Sequence, residues 1–460
     1  MGRFVHSQVI PTARLHTSRS VRTWSRDDPV IGKEDHENFV PSPADTLVEE
    51  DLFPIVYNRC PMVVGSPEVE LLLCCARTRL DSEKAARIGA LLQQRLDWRH
   101  LLHIAEEHTM VPLLYWHLKG TFPEAVPEVT MNDLREHFRT NSLRNLVLTA
   151  ELRRILTVFD SHGVPVIPYK GPVLAAFAYG NLTLRQFVDL DVLVHKQDIP
   201  RAKGLLASIG YRQQDLLTPT QERAFLHSDC EYHFAPGGEN RDLVELHWNI
   251  TPRTFSFLLD PEDLWGRLER IPLGGDTVPT LPPEDLLLIL CAHGCAEFWH
   301  QLKLICDVAE LIRVHEAMDW DELVRRATVL GSRRMLLLGL FLANDLLGAE
   351  LPTEVMKRVR RDRAVVALAD RVYEWLFRGS LQPRGFSESG EDNTFSSFHV
   401  EIRERVRDRV RYCARVAFTP NEKDWMRLQL PPALWPLYYA VRPIRLIGKY
   451  GSGLIDRRAR

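Results

Sequence analysis

The chain has 460 residues, which at roughly 150 residues per domain allows two or three folded units. Apolar residues make up 45% and charged residues 26%, ordinary globular values that exclude a fibrous or wholly disordered chain. Lys and Arg number 58 against 61 Asp and Glu, so nucleic acid could be held only by a local basic patch, because no global basic field exists.

Residues 1–50 carry no long periodic pattern. Their first 26 hold five arginines and no acid, the composition of a transit peptide or of a disordered tail, and the tail is the reading adopted. Residues 66–160 read as a helical region. Leu71, Leu72, Cys75 and Leu80 recur at helical spacing, as do Leu148, Leu152, Ile155 and Phe159, and Asp97 is placed to cap the helix that Trp98 opens.

The texture changes over 161–280. Val164 to Tyr169 reads as a strand, Pro172 opens a helix that Gly180 closes, Val188 to His195 is a second strand, and Ile199 to Ile209 a second helix. Glu231 to Ala235 and Leu243 to Trp248 flank a Pro-Gly-Gly turn and predict a hairpin. Residues 281–378 are helical again: Glu284 to Ala317, Trp320 to Leu330, Arg333 to Leu347 and Thr353 to Phe377. A Ser/Gly/acid-rich stretch over 379–397 reads as a mobile loop. Residues 398–460 hold an Arg-rich helix from Glu401 to Val416 and a basic Pro/aromatic tail, in which Arg442 and Arg445 are placed to dock on the body and Lys449 onward to stay solvated.

Apolar runs such as Leu286 to Ala292 fall far short of the roughly 20 residues that span a membrane. Eight cysteines, none in a CxxC pair and several in apolar surroundings, predict reduced core thiols and a cytoplasmic location.

The sharpest chemical feature is Val188-Asp189-Leu190-Asp191-Val192-Leu193-Val194. Side chains alternate along a strand, so the two aspartates share a face, about 7 Å apart. Buried together they need a counter-charge, and a divalent cation fits; the competing reading is a solvated strand end. Upstream, Lys170-Gly171-Pro172 sits where a strand meets a helix, a junction suited to phosphate. Downstream, Val244-Glu245-Leu246-His247-Trp248 puts Glu245 and His247 on one face, and Glu245 would complete a carboxylate nest if its strand neighbours the first. Arg185 would clamp a phosphate or pair with a carboxylate. On the helix from Asp285, His293, Glu297 and His300 form a polar stripe continued by Asp307. That stripe would line the pocket, supply a base, bind a metal, or simply face solvent.

Taken together, Lys170-Gly171-Pro172, Tyr179-Gly180, Arg185 to Val194, Gly210-Tyr211, Pro282 to Leu287 and Leu302 to Ala309 resemble the bacterial uncharacterised nucleotidyltransferase family of the polymerase-β-like superfamily. The resemblance implies an α+β protein: a small mixed-sheet nucleotidyltransferase core with helical regions on both sides. It implies transfer of a nucleoside monophosphate from an NTP to an unknown hydroxyl or phosphate acceptor (small molecule, glycan, protein or RNA). Asp189, Asp191 and Glu245 would hold Mg²⁺ or Mn²⁺, Glu245 would also help deprotonate the acceptor, and Lys170, Gly171 and Arg185 would bind the nucleotide. His247, His293, Glu297 and His300 are further pocket candidates. Three other functions fit the same residues: a transferase using a nucleotide-sugar donor, a toxin-like enzyme nucleotidylating tRNA or protein, and an inactive nucleotide-binding scaffold. The chain departs from the resembled pattern in carrying Lys-Gly where Gly-Ser is usual, and Glu where the third acid is commonly Asp.

Overall fold

The computed structural model describes residues 66–214, 217–237, 243–377 and 396–421, with positions 424–425, 428, 430–431, 434 and 437–446. The expected tail over 1–50, nearly all of the expected loop over 379–397, and the basic end from Lys449 fall outside the described residues.

Five helices come first: α1 (Pro67–Cys75), α2 (Ser82–Leu92), α3 (Trp98–Glu107), α4 (Val111–Thr121) and α5 (Glu128–Ser161). Asp97 does cap α3, accepting the His100 amide at 3.0 Å and so satisfying a donor that the helix start leaves open. The 34 residues of α5 serve two cores. Met131 and Leu134 lie in a core built by the helical regions, while Leu148, Leu152, Ile155 and Phe159 pack with the sheet.

An α/β unit follows: β1 (Val166–Pro168), α6 (Gly171–Tyr179), β2 (Leu190–Val194), α7 (Ile199–Ser208), β3 (Tyr211–Gln213), α8 (Pro219–Ser228), β4 (Glu231–Pro236) and β5 (Val244–His247). The sheet runs β1-β2-β5-β4-β3. The β2–β5 pair is parallel and the others are antiparallel, so the sheet is mixed. Pro168 is tolerated because β1 is an edge strand. A separate hairpin, β6 (Glu269–Leu273) and β7 (Asp276–Thr280), has no counterpart in the sequence reading, since Pro272 and Pro279 interrupt its alternation. β3 and α8 are likewise additions.

The remaining helices are α9 (Pro283–Ala296), α10 (Leu302–Val314), α11 (Trp320–Leu330), α12 (Arg333–Leu347), α13 (Thr353–Arg361), α14 (Arg363–Phe377), α15 (Ser397–Glu401) and α16 (Val406–Phe418). The single helix expected from Glu284 to Ala317 is in fact two. Phe298 and Trp299 both adopt left-handed backbone with φ of 54°, which costs roughly 1–2 kcal/mol per residue. Burial offsets that cost: the Trp299 indole is fully covered and sits against Gly294, where a Cβ would stand 2.5 Å from the ring. The helix expected over 353–377 also divides, at Asp362.

Arg442 docks as expected. It is buried, donates to Val416 O at 2.7 Å and pairs with Asp424 at 2.8 Å, and Arg445 reaches the same carboxylate. Among the described residues no helix is long and apolar enough to cross a membrane, and the cysteines are free thiols, six of them buried.

His399 ties α15 to α9. Its ring stacks on Phe298 with centroids 4.4 Å apart, Nε2–H donates to Cys295 O at 3.1 Å, and Nδ1 accepts from the Tyr412 hydroxyl at 3.3 Å. Burial, reinforced by the Arg403 guanidinium, pushes its pKa down to about 3, against about 6.5 in an unfolded chain. The folded state therefore keeps His399 neutral, and the stability this gives is complete above about pH 6.5 and lost as pH falls toward 3. Unfolding free energies from urea titrations, followed from pH 7.5 to 5, should fall more steeply for the natural chain than for His399→Gln, by up to about 1.4 kcal/mol per pH unit. Parallel pH curves for the two proteins would refute this assignment.

Candidate functional site

Alternation gives the sheet two unlike faces. Leu190, Val192 and Val194 of β2, Val244 and Leu246 of β5, and Tyr232 and Phe234 of β4 all belong to one apolar core. The opposite face of the same strands carries Asp191, Glu245, His247, Glu231 and His233. Register brings these together: Asp191 pairs with Glu245 across the parallel β2–β5 ladder, Glu231 with His247, and His233 with Glu245. Asp189 stands in the loop just before β2 rather than inside the strand where the sequence reading placed it.

Counter-charges meet these acids. Lys170, the residue before α6, donates from Nζ to Asp191 Oδ1 at 2.7 Å. His247 Nε2 lies 3.4 Å from both Asp191 Oδ1 and Glu245 Oε2, and Nδ1 lies 2.9 Å from Glu231 Oε2. Against its burial, the Lys170 ammonium holds the Asp191 carboxyl far below the usual carboxylate range. Burial pushes Asp189 up, and the neighbouring Asp191 charge adds to this. Glu245 is likewise raised by burial, whereas Glu231, against the partial burial of its side chain, is held well below its usual value by His247. The acids thus divide into a pair whose carboxyl pKa is lowered, Asp191 and Glu231, and a pair in which it is raised, Asp189 and Glu245.

Gly171 fits the turn that delivers Lys170. Its φ is +52°, and a Cβ there would stand 3.0 Å from Asp189 O; both facts favour glycine. The start of α6 offers less to an anion than its sequence promised, because Pro172 has no N–H and the Val173 and Leu174 amides donate to Lys170 O. What it presents is the Lys170 ammonium.

Arg185 is committed elsewhere. Its guanidinium meets both oxygens of Asp307 on α10, at 2.7 and 2.8 Å, and the Tyr179 hydroxyl donates to the same carboxylate at 2.7 Å. All three are buried. From α5, Asn145 donates to Leu182 O and Arg185 O, and Asn141 to Thr183 O, so the segment leading to Asp189 is fastened from two sides.

The polar stripe is divided by the break after α9. His293 lies on α9, Glu297 at its C-cap and His300 in the following turn, where Nδ1 meets Glu297 O at 2.8 Å. Asp307 belongs to α10. His293 still faces the acids: burial and then the Lys170 charge push it well below its usual value, while Asp191 and Glu231 pull it the other way. Among the described residues, the trios whose donor atoms all lie within 4.8 Å of one another are Asp191/Glu245/His247, Glu231/His233/Glu245 and Cys230/Glu231/His247. His293, Glu297 and His300 do not form one, nor does Asp189 join one. Carboxylate oxygens are what a hard divalent cation takes, so the acidic face fits such an ion.

A family model described as uncharacterised nucleotidyltransferase matches residues 94–348, more than half of the chain. The chain belongs to this family. The matched segment runs from α3 to α12 and contains every site residue named above. A solved structure similar to this chain is that of an antigenic nucleotidyltransferase-like protein from Paracoccidioides brasiliensis, at 15% identity, over 46% of this chain and 96% of that one, with a TM-score of 0.25. No curated protein matches.

Sequence reasoning passed over Glu231 and Lys303. Glu231-Tyr232-His233 has the same alternation as Glu245-Leu246-His247 on the partner strand, and that shared pattern is the signal that would have found it. Lys303 opens α10 beside Asp189, Arg185 and Asp307, where burial and then Arg185 lower its pKa. No spacing relates it to the strands.

The Asp307→Asn variant should lose about 3–5 kcal/mol of stability, because Arg185 is left as a buried, uncompensated charge. Urea denaturation measures this, and the double variant Arg185→Met/Asp307→Leu should recover much of the loss. A loss below about 1 kcal/mol in Asp307→Asn would show that the pair behaves as an exposed one.

Proposed function

We propose that this protein is a divalent-metal-dependent nucleotidyltransferase that moves a nucleoside monophosphate from an NTP to an acceptor hydroxyl. The observation carrying this reading is the placement of Asp191 directly opposite Glu245 on parallel neighbouring strands, with Asp189 just upstream and Lys170 alongside. Asp189, Asp191 and Glu245 would hold Mg²⁺ or Mn²⁺. Such an ion supplies Lewis-acid charge to the phosphoryl oxygens and orients them when bound.

The chain's own groups do the rest. Lys170 has a flexible point charge that can serve phosphate oxygens as well as Asp191, and the Gly171 amide would add a donor at the adjoining helix start. The acceptor oxygen forms a bond to the α-phosphorus while the bond to the bridging oxygen breaks, and pyrophosphate leaves with that electron pair. The acceptor proton goes to Glu245, whose raised pKa suits it to receive one. Arg185 already commits Nε and Nη2 to Asp307, so its part here is to hold the loop that carries Asp189.

The Lys170–Asp191 ion pair also favours a second reading. A site that balances its own charge can bind nucleotide without turning it over, as an inactive scaffold would. A transfer assay with labelled NTPs separates the two. The first reading expects incorporation of label that Asp189→Asn lowers by about a hundredfold or more, with the thermal midpoint unchanged within a few degrees. Undiminished transfer in Asp189→Asn would remove the carboxylate mechanism. Calorimetric NTP binding with no transfer to any acceptor in a lysate-derived pool would favour the scaffold.

A further inference from the structure

His247 is a strange neighbour for a hard-cation site. It is 1% exposed, and neither ring nitrogen has a hydrogen-bond partner in aligned geometry. Buried polar atoms seldom go unsatisfied, because the desolvation cost is not recovered. Yet the ring is not loose. Leu193 and Glu231 flank it in register on the adjoining strands, and the Tyr169 ring meets it edge-on with centroids 5.4 Å apart. Its Nε2 lies 3.4 Å from an oxygen of both Asp191 and Glu245. Its Nδ1 faces Glu231 at 2.9 Å.

That is the layout of a carboxylate–histidine–metal relay, in which an outer acid holds one ring nitrogen and so fixes the lone pair of the other. We propose that His247 Nε2 is a direct ligand of the cation held by Asp191 and Glu245, that Glu231 orients the ring, and that the site therefore selects a transition-series divalent ion such as Mn²⁺ over Mg²⁺. The inference rests on the cation-binding reading above and deepens it. Mg²⁺ favours an all-oxygen shell, whereas imidazole nitrogen suits first-row transition ions, of which Mn²⁺ is the weakest binder and so the most stringent comparison with Mg²⁺. The other trio that includes His247, with Cys230 and Glu231, brings in a thiol that is 2% exposed. The Nε2 side opens through Glu245, whose side chain keeps 23% of its surface in solvent.

The test uses the full chain loaded with Mn²⁺ alone. Electron spin-echo modulation should reveal a directly bound ¹⁴N nucleus in the natural protein and in His233→Gln, and lose it in His247→Gln. Equilibrium titration should show Mn²⁺ bound at least about tenfold more tightly than Mg²⁺, with Glu231→Gln weakening Mn²⁺ by roughly ten- to a hundredfold while keeping the nitrogen signal. Circular dichroism checks the fold of each variant, and the natural protein and Glu231→Gln decide the matter even where His247→Gln does not fold. Mn²⁺ bound without nitrogen coupling in the natural protein overturns the proposal and leaves the carboxylate site standing. Coupling that persists in folded His247→Gln overturns it too. Failure of the natural protein to bind either ion overturns the cation-binding reading together with this one.

Discussion

The parallel pairing of β2 with β5 is the constraint from which the site follows. It places Asp191 against Glu245 in the ladder, two like charges at neighbouring-strand distance on a face that the helical region largely covers. Unopposed, such a pair is destabilising. The fold answers with a lysine delivered by the α6 turn and a histidine on β5 itself. Neither counter-charge belongs to the apolar core, and each is placed by backbone geometry: Lys170 by the left-handed Gly171, His247 by strand alternation two residues after Glu245. The acidic face is therefore a property of topology as much as of composition. A one-residue slip in β5 would turn Glu245 and His247 into the core beside Val192, Tyr232 and Phe234, and Val244 and Leu246 out of it.

The helical region contributes to that face instead of merely covering it. Tyr179 at the end of α6, Arg185 in the loop before β2 and Asp307 on α10 form one buried polar cluster, so the segment that carries Asp189 is anchored to a helix more than a hundred residues away. Satisfied networks of this kind fix a single arrangement, because any half-broken version leaves a charge without a partner. The asparagines of α5 hold the same segment by its carbonyls. The two cores, one of helices and one of sheet, are thus joined at the loop where the first acid of the site sits.

Much of this was legible in the residues. The strand–helix–strand–helix–hairpin order, the helices on both sides, the shared face of Asp191, Glu245 and His247, and the turn at Lys170-Gly171 all follow from alternation and from glycine and proline placement. Asp189 was assigned to the strand because Val188 continues the apolar alternation, yet Val188 is 42% exposed and pairing starts only at Leu190. Glu231 escaped because acid–aromatic–histidine alternation looks like an ordinary wet strand until its partner is known. Arg185 could not be assigned between phosphate and carboxylate, since its partner Asp307 is distant in the chain and lies on a helix that the sequence seemed to run continuously from α9.

That apparent continuity is instructive. Residues 284–317 read as one helix because nothing in their composition interrupts the apolar period: no proline, and a glycine only at Gly294. The interruption is tertiary. The Trp299 ring folds back over Gly294 and Gly339, and the backbone at Phe298 and Trp299 is left-handed where it does so. Breaking there redirects α10, and with it Lys303 and Asp307, toward Asp189 and Arg185. A straight helix would have carried Asp307 away along the α9 axis, about 1.5 Å per residue, and left Arg185 buried without its carboxylate. The strain at Phe298 and Trp299 and the order of the loop before β2 are therefore two ends of one arrangement, and the acids on the sheet depend on both.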